Sequence, residues 1–351
     1  MTTIPYYNQM HPGLQNILFF IFFLGSSACT IADTLIMKDG SVLNGKVLQQ
    51  SKNTLKFKTS YAGTINVKWD QVTKLTADKA VTIMLVTDEV FSAQQISNIG
   101  DDISQIKKQD EQWHTAFKTH NVSYINPDPW RLGKGYKISA NLNLSLKSQH
   151  GNTVKDEFDL DGELIFRSLT DRYTILGQLE NDTSNKKTSA DNWKLSGEYD
   201  YFVSKKRYYG ALVYFERDKF TDLELRTVLG PLAGRQHYES EELNLSTNVG
   251  ITKVYENNIK ADDSDYMAFL WNIKYDQFVF DKFTQLYHRQ TGIWDWEKTQ
   301  KVTLNSWTGL RFPLNYGLVA STEVEWEYDS EPKQTVHKSD ITYRIKLGYQ
   351  W

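Results

Sequence analysis

The most regular feature of the chain is the alternation of apolar and polar residues at its C-terminal end. From Ile341 to Trp351 every second residue is apolar or aromatic, and the residues between them are polar, charged or glycine. Side chains of a β-strand point alternately to its two faces, so this pattern predicts a strand with one apolar and one polar face. Such a terminal strand is typical of an outer-membrane β-barrel, which faces lipid outside and water inside. The residues expected to form a C-terminal insertion signal are Tyr343, Ile345, Leu347, Tyr349 and Trp351.

The same alternation continues through residues 131–351 and predicts an all-β, antiparallel transmembrane barrel of about twelve strands. Short turns, such as the one near Thr170, alternate with longer polar connections, such as residues 181–191. An even number of strands brings both ends of the barrel to the periplasmic side. The alternative is a water-soluble β-sandwich with an aromatic core.

Charged residues on the polar faces of the last two strands are candidates for the barrel lumen. These strands are expected to be antiparallel neighbours, so opposite charges can meet across the pair. We expect a filled or narrowly open lumen, and the alternative is an open, nonspecific pore lined by the same charges. The lumen candidates are Glu323, Glu325, Glu327, Arg344 and Lys346.

Residues 1–32 resemble a secretory signal peptide. The apolar run from Ile17 to Leu24 is too short to span a bilayer and is followed by small residues, with a cleavage site expected after Ala32. Translation starting at Met10 is an alternative. Cys29, the only cysteine, is either removed with this peptide or, in an alternative interpretation, is the acceptor of a lipid.

Residues 33–91 and 92–130 differ from the barrel region. The first segment contains five short strand patterns with turns at Asp39–Gly40, which predicts a small periplasmic β domain of the SH3 or Sm-like kind. This domain is a candidate site for a periplasmic partner. In the second segment, isoleucines such as Ile96 and Ile103 recur at three- and four-residue spacing and predict a helical linker, with a flexible charged tether as the alternative.

The overall composition excludes some classes of protein. The net charge of −3 gives no electrostatic reason to bind nucleic acid. A mean hydropathy of −0.53 is compatible with a membrane barrel, because half of each strand faces a polar lumen.

The sequence offers little for catalysis or metal binding. It has no G-x-S-x-G, H-E-x-x-H or P-loop motif, and we expect neither enzymatic activity nor a cofactor. His288 is expected to lie in a strand, where a serine or aspartate from another strand could join it in a catalytic site. The acidic loop with Asp262, Asp263 and Asp265 could hold Ca²⁺ through carboxylate oxygens, but a solvated loop is the simpler interpretation.

Several short motifs occur in the order found in the salt-induced outer membrane protein family, also called domain of unknown function 481. Residues 149–153 resemble the S-G-N-T motif of that family, residues 217–220 its R-D-x-[FY] element, and residues 329–332 its N-S-E-P motif. The L-G-Y at Leu347–Tyr349 is similar to the end of the family pattern. Residues 38–70 resemble the small N-terminal domain of some members. The resemblance implies location in the outer membrane of a Gram-negative bacterium and carries no activity.

Three functions therefore compete at this point. The leading hypothesis is a non-enzymatic envelope protein. It would contact outer-membrane lipid and, during biogenesis, the barrel-assembly machinery. The family resemblance adds a link to salt or osmotic stress. The second is a porin-like channel for small solutes. The third is a barrel enzyme that acts on lipid, with His288 as its candidate residue.

Overall fold

A computed structural model describes residues 32–51, 53–100, 102–107, 113–149, 155–185, 187–280, 282–332 and 337–351. The chain divides into two compact units, residues 1–127 and residues 128–351. The expected signal peptide apart from Ala32, and with it Cys29, lies outside the described residues.

The first unit is a nine-stranded antiparallel sheet. Its strands alternate between exposed and buried positions, and Leu35, Phe57 and Ile83 are fully buried in its apolar core. The strand order is β4-β3-β2-β1-β5-β6-β7-β8, with β9 pairing with β2 and β5. The strands are β1 Asp33–Met37, β2 Val42–Ser51, β3 Thr54–Thr59, β4 Gly63–Lys68, β5 Val72–Leu85, β6 Val90–Gly100, β7 Ile103–Lys107, β8 Trp113–Lys118 and β9 Val122–Ile125.

The prediction of a helical linker over residues 92–130 is wrong, because this segment holds β6 to β9. Ile96 and Ile106 are buried, but they lie directly opposite each other in the β6–β7 hairpin. The turn between these strands includes Asp102, whose φ is +60°. The turn interrupts the alternation of apolar and polar residues along the two strands. The isoleucines on its two sides therefore fell at three- and four-residue spacing, as in a helix. The prediction of a separate five-stranded SH3 or Sm-like domain over residues 33–91 is not supported either, since β6 crosses that boundary.

The first unit contains a structural repeat that the sequence analysis missed. Strands β1 to β4 and the start of β5 are followed by the end of β5 and strands β6 to β9 in the same arrangement. In the first copy, Asn53 Oδ1 accepts a hydrogen bond from the Asp70 N–H (2.9 Å). In the second copy, Asp102 Oδ1 accepts one from the His120 N–H (3.0 Å). The two copies therefore share their backbone design although few residues are identical.

The second unit is a closed antiparallel barrel of twelve strands, which confirms the predicted barrel. Strand β21 pairs with β10 and closes the ring. A short 3₁₀ turn, Pro129–Leu132, precedes the first of these strands and buries Trp130. The strands are β10 Lys137–Gln149, β11 Lys155–Arg167, β12 Asp171–Ser184, β13 Lys187–Phe202, β14 Arg207–Asp218, β15 Leu223–Glu239, β16 Leu243–Asn258, β17 Ser264–Val279, β18 Thr284–Asp295, β19 Val302–Pro313, β20 Leu318–Asp329 and β21 Ser339–Gln350.

The difference between the two ends of the barrel is smaller than expected. Short turns join the strands at the end that holds Lys137 and Trp351. At the other end, the predicted loop over residues 181–191 is mostly strand, because β12 continues to Ser184 and β13 begins at Lys187.

The barrel wall has an apolar outer face and a mixed inner face. On β21, Tyr343 and Ile345 are 77% and 79% exposed, whereas Arg344 between them is 6% exposed. The alternation therefore places apolar side chains outside and charged ones in the lumen. Among the described residues, no helix is long and apolar enough to cross a membrane.

Candidate functional site

The structure brings four of the five lumen candidates together at the β20–β21 pair. Glu323, Glu325, Arg344 and Lys346 are buried and point into the barrel, and Glu327 is half-buried further along β20. Arg344 pairs with Glu325, and Lys346 Nζ lies 2.6 Å from Glu323 Oε1. The register places Glu323 opposite Arg344, so the ion pairs run diagonally between the strands.

Both cations also reach strands on the other side of the β10–β21 closure. Arg344 Nε lies 3.2 Å from Asp159 Oδ1, and its Nη2 lies 3.4 Å from Glu180 Oε2. Lys346 Nζ lies 2.5 Å from Asp161 Oδ1. Each cation therefore neutralises carboxylates from more than one strand.

Further ion pairs cross the lumen. Arg289 on β18 lies 2.9 Å from Glu163 on β11, and at least four strands separate these two in either direction around the barrel. Lys194 on β13 pairs in the same way with Glu327 on β20 and lies 3.8 Å from Glu325. These contacts hold opposite walls of the barrel together.

The lumen also has an apolar side, which the sequence analysis did not identify. It is built by inward-facing residues of β14 to β18. On these strands the outward residues are apolar as well, as in the run from Ala268 to Trp271, so the alternation that marks an inner face is lost. The buried residues of this wall are Leu212, Val228, Leu232, Val254, Tyr266, Ala268, Leu270 and Ile293.

A third group of contacts fills the lumen near the end that holds the barrel termini. The Arg172 guanidinium lies 2.7 Å from Asp200 Oδ2 and donates a 2.7 Å hydrogen bond to Gln236 Oε1. The Arg167 guanidinium stacks 3.7 Å from the centre of the Phe202 ring. Cation–π stacking and pairing with a carboxylate both satisfy a guanidinium that is removed from water.

A cavity of about 140 Å³ remains between the charged and apolar sides. Its lining includes Glu163, Lys274 and Arg289 on one side, and Leu212 and Leu270 on the other. Within the described residues, Glu163 Oε1 is buried and has no hydrogen-bond partner. A cavity of this size can hold several water molecules or one small solute, with the charged side offering the hydrogen-bond partners.

The remaining sequence candidates do not join this site. His288 lies on the outward face of β18, where its ring Nδ1 is 2.8 Å from Thr308 Oγ1. Asp263 accepts a hydrogen bond from the Asn258 N–H (2.8 Å), and Asp265 pairs with Lys253. In the part of the chain that the structure describes, no group of three or more histidine, cysteine, aspartate or glutamate residues could hold a metal ion.

The geometry defines a closed twelve-stranded barrel of the kind found in outer-membrane proteins, with a lumen occupied largely by side chains. The chain belongs to the family described as "Protein of unknown function, DUF481", whose model matches residues 142–351.

The solved structures that resemble this chain include a porin, an outer membrane channel and a translocator domain. The NanC porin is 9% identical, with a TM-score of 0.37, and the match covers 61% of this chain and 100% of the porin. The outer membrane channel DcaP of Acinetobacter baumannii is 10% identical (TM-score 0.29; 78% of this chain, 94% of the channel). The translocator domain of the autotransporter NalP from Neisseria meningitidis is 13% identical (TM-score 0.31; 61% and 88%). A comparison with curated proteins finds no match.

Proposed function

We propose that this chain is a non-enzymatic outer-membrane barrel of the Gram-negative cell envelope, with a lumen held closed by ion pairs and its N-terminal unit in the periplasm. The observation that supports a closed lumen is that two groups of ion pairs span it. Arg289 pairs with Glu163 in the first group, and Lys194 pairs with Glu325 and Glu327 in the second. A solute could pass only if these contacts separated.

The outer face supports location in a bilayer. Large apolar side chains such as Leu146, Ile251 and Ile345 remain more than half exposed on different strands of the barrel. Water makes such a surface unfavourable, whereas lipid chains accommodate it. The ring closes where residues 141–144 of β10 pair with residues 347–350 of β21. Pairing of strand edges suits a medium without water, where an unpaired backbone group is costly.

Ion-pair energetics support a closed resting state. Arg289 and Glu163 are both largely buried. Separating them would leave the Glu163 carboxylate without its cation in a site of low dielectric constant, although Arg289 would keep Asp276 on β17 at 2.9 Å. Removing one partner of a buried pair typically costs about 3–5 kcal/mol, because the other charge stays buried without compensation. Thermal opening of several such pairs together would therefore be rare.

A narrow channel for small solutes is the second candidate. The cavity of about 140 Å³ favours it, because this space already lies on the line of the lumen. Under this alternative, the ion pairs on either side of the cavity would be gates rather than permanent seals.

Single-channel conductance in a planar bilayer tests both candidates. We would compare the full chain, a variant lacking residues 33–127, and the double variant Lys194→Gln, Arg289→Gln. Silence of the full and truncated chains, with folding verified by heat-modifiable gel mobility, and steady openings of the double variant would support the closed barrel. Steady openings of the full chain would reject it in favour of the channel. Openings only after truncation would instead make the N-terminal unit a plug.

The remaining elements of the proposal come from sequence patterns. The C-terminal residues Tyr343 to Trp351 would engage the barrel-assembly machinery, and the first unit would meet a periplasmic partner. The link to salt or osmotic stress rests on the family resemblance alone. Protein abundance at two osmolarities would test that link.

A further inference from the structure

The outer face of strands β2, β3 and β4 in the first unit carries a cluster of exposed lysines. Lys46 on β2 lies directly opposite Lys58 on β3. Lys56 is two residues from Lys58 and shares its face, and Lys68 occupies the same face of β4. We call these four residues the lysine face.

No acidic residue balances this charge on the outward positions of the three strands. The neighbouring outward residues include Asn44, Thr54, Thr64 and Asn66. Between described residues, no ion pair involves any of the four lysines. Like charges placed directly opposite in a sheet are destabilising, so the fold gains no stability from the pairing of Lys46 with Lys58.

Protection of a sheet edge does not explain the cluster. Lysines on edge strands prevent unwanted strand pairing, and this accounts for Lys68 on β4. Lys46, however, lies on β2, which has β1 on one side and β3 on the other. The second copy of the repeat has Gln95 opposite Lys107 at the corresponding place, so the fold itself does not require two facing lysines.

We propose that the lysine face docks on an anionic lipid surface, such as a leaflet that contains phosphatidylglycerol. Lysine ammonium groups are flexible point charges, which suit a diffuse layer of phosphates better than bidentate recognition. The outward positions of these strands hold no aromatic side chain on which nucleic-acid bases could stack. Only residues 128–136 separate the first unit from β10, so a bilayer that holds the barrel is close along the chain. This last step rests on the proposed membrane location.

The test uses the full chain in nanodiscs, in a Cys29→Ser background. A fluorescent donor is attached at Asn66→Cys, which lies directly opposite Lys56 of the lysine face. Energy transfer from this donor to headgroup-labelled lipid is measured in phosphatidylcholine discs with and without phosphatidylglycerol. A donor at Thr87→Cys in the second copy is the reference position. Heat-modifiable mobility of the same samples reports barrel insertion separately, so failure of docking is distinguishable from failure of the membrane location.

We expect stronger transfer from position 66 in anionic discs and its loss at high salt. The triple variant Lys46→Gln, Lys56→Gln, Lys58→Gln should weaken docking on the order of a hundredfold, since each lysine near an anionic surface contributes roughly fivefold. The matched control Lys38→Gln, Lys79→Gln, Lys118→Gln removes the same charge from exposed positions outside the face and should keep the transfer. Arginine at the three positions should keep it as well.

Two results would overturn the proposal. The first is equal transfer in the two lipid mixtures, or transfer that is unchanged in the triple glutamine variant. The second is lysine-dependent binding of soluble polyglutamate in discs where phosphatidylglycerol makes no difference, which would assign the face to an acidic polymer instead.

Discussion

Replacing Arg344 by methionine should destabilise the barrel strongly. The Arg344 guanidinium is almost fully buried and faces Asp159, Glu180 and Glu325. Methionine keeps most of the side-chain volume but removes the charge that neutralises these carboxylates. Removal of one partner of a buried ion pair typically costs about 3–5 kcal/mol, because the other charge stays buried without compensation. We expect a loss of this size in the free energy of unfolding.

The assay is urea unfolding of the barrel in lipid vesicles, followed by tryptophan fluorescence. Arg217→Met is the matched control, because Arg217 pairs with Glu224 at 3.2 Å and the two side chains keep 31% and 53% of their surface exposed, far more than Arg344 does. An exposed pair contributes about 0–1 kcal/mol. The same chemical change should therefore have a small effect at position 217 and a large one at position 344.

A double-mutant cycle separates the ion pair from general disruption of the lumen. Glu325→Gln alone should destabilise the barrel, and in combination with Arg344→Met it should cost less than the sum of the two single changes, with a coupling of about 0.5–3 kcal/mol. Additive effects would contradict the reasoning, as would equal losses for Arg344→Met and Arg217→Met.

Three further predictions concern other parts of the chain. Gly292→Ala should destabilise the barrel by about 1–3 kcal/mol in the same urea assay, because the added Cβ at position 292 would lie 2.0 Å from the Trp271 ring. Trp271→Leu should relieve this loss of stability. A loss that persists in the double variant would point to another cause. Deletion of Trp351 should lower the yield of heat-modifiable barrel in cell envelopes, because its backbone makes two hydrogen bonds to Ala140 that close the ring (3.0 and 3.1 Å); an unchanged yield would show that this contact is dispensable. Burial opposes ionisation of Asp102, but the backbone N–H and ring of His120 outweigh it and hold the pKa of Asp102 below its usual 3.8. The stabilisation that ionised Asp102 gives to its contact with His120 is therefore present above the unfolded pKa of Asp102 and is lost as the pH falls through its folded pKa. Amide-exchange protection of His120 should accordingly decrease only as the pH falls below the unfolded pKa. A protection factor that stays constant over this range would refute the prediction.

The barrel could be predicted from the sequence because apolar and polar residues alternate along its strands. Residues such as Glu325 and Arg344 belong to consecutive strands, so alternation and hairpin pairing together were enough to predict that they meet. Their partners elsewhere in the barrel could not be inferred in the same way. The contact between Arg289 and Glu163 depends on closure of the ring and on the width of the lumen, and neither is visible in a local pattern.

The first unit shows why a short spacing pattern can mislead. Ile96 and Ile106 matched a helical period only because a turn near Asp102 interrupts two strands. The repeat was missed for a related reason: equivalent positions such as Asn53 and Asp102 perform the same backbone-capping role with different side chains. What the two copies share is hydrogen-bond geometry, which a comparison of residue types does not detect.

The two sides of the lumen together bear on the proposal that the barrel is closed. The apolar side, with Leu232 and Leu270, offers no charge, so the ions of the other side have to neutralise each other. Lys346 does so with Asp161 and Glu323. Channels that select by charge present rings of one sign, which leave a net field for a passing ion. Here a mobile ion could bind a charged side chain only by displacing that side chain's partner, which lies a few ångströms away. Under the proposed function, the ion pairs therefore seal the barrel rather than filter solutes.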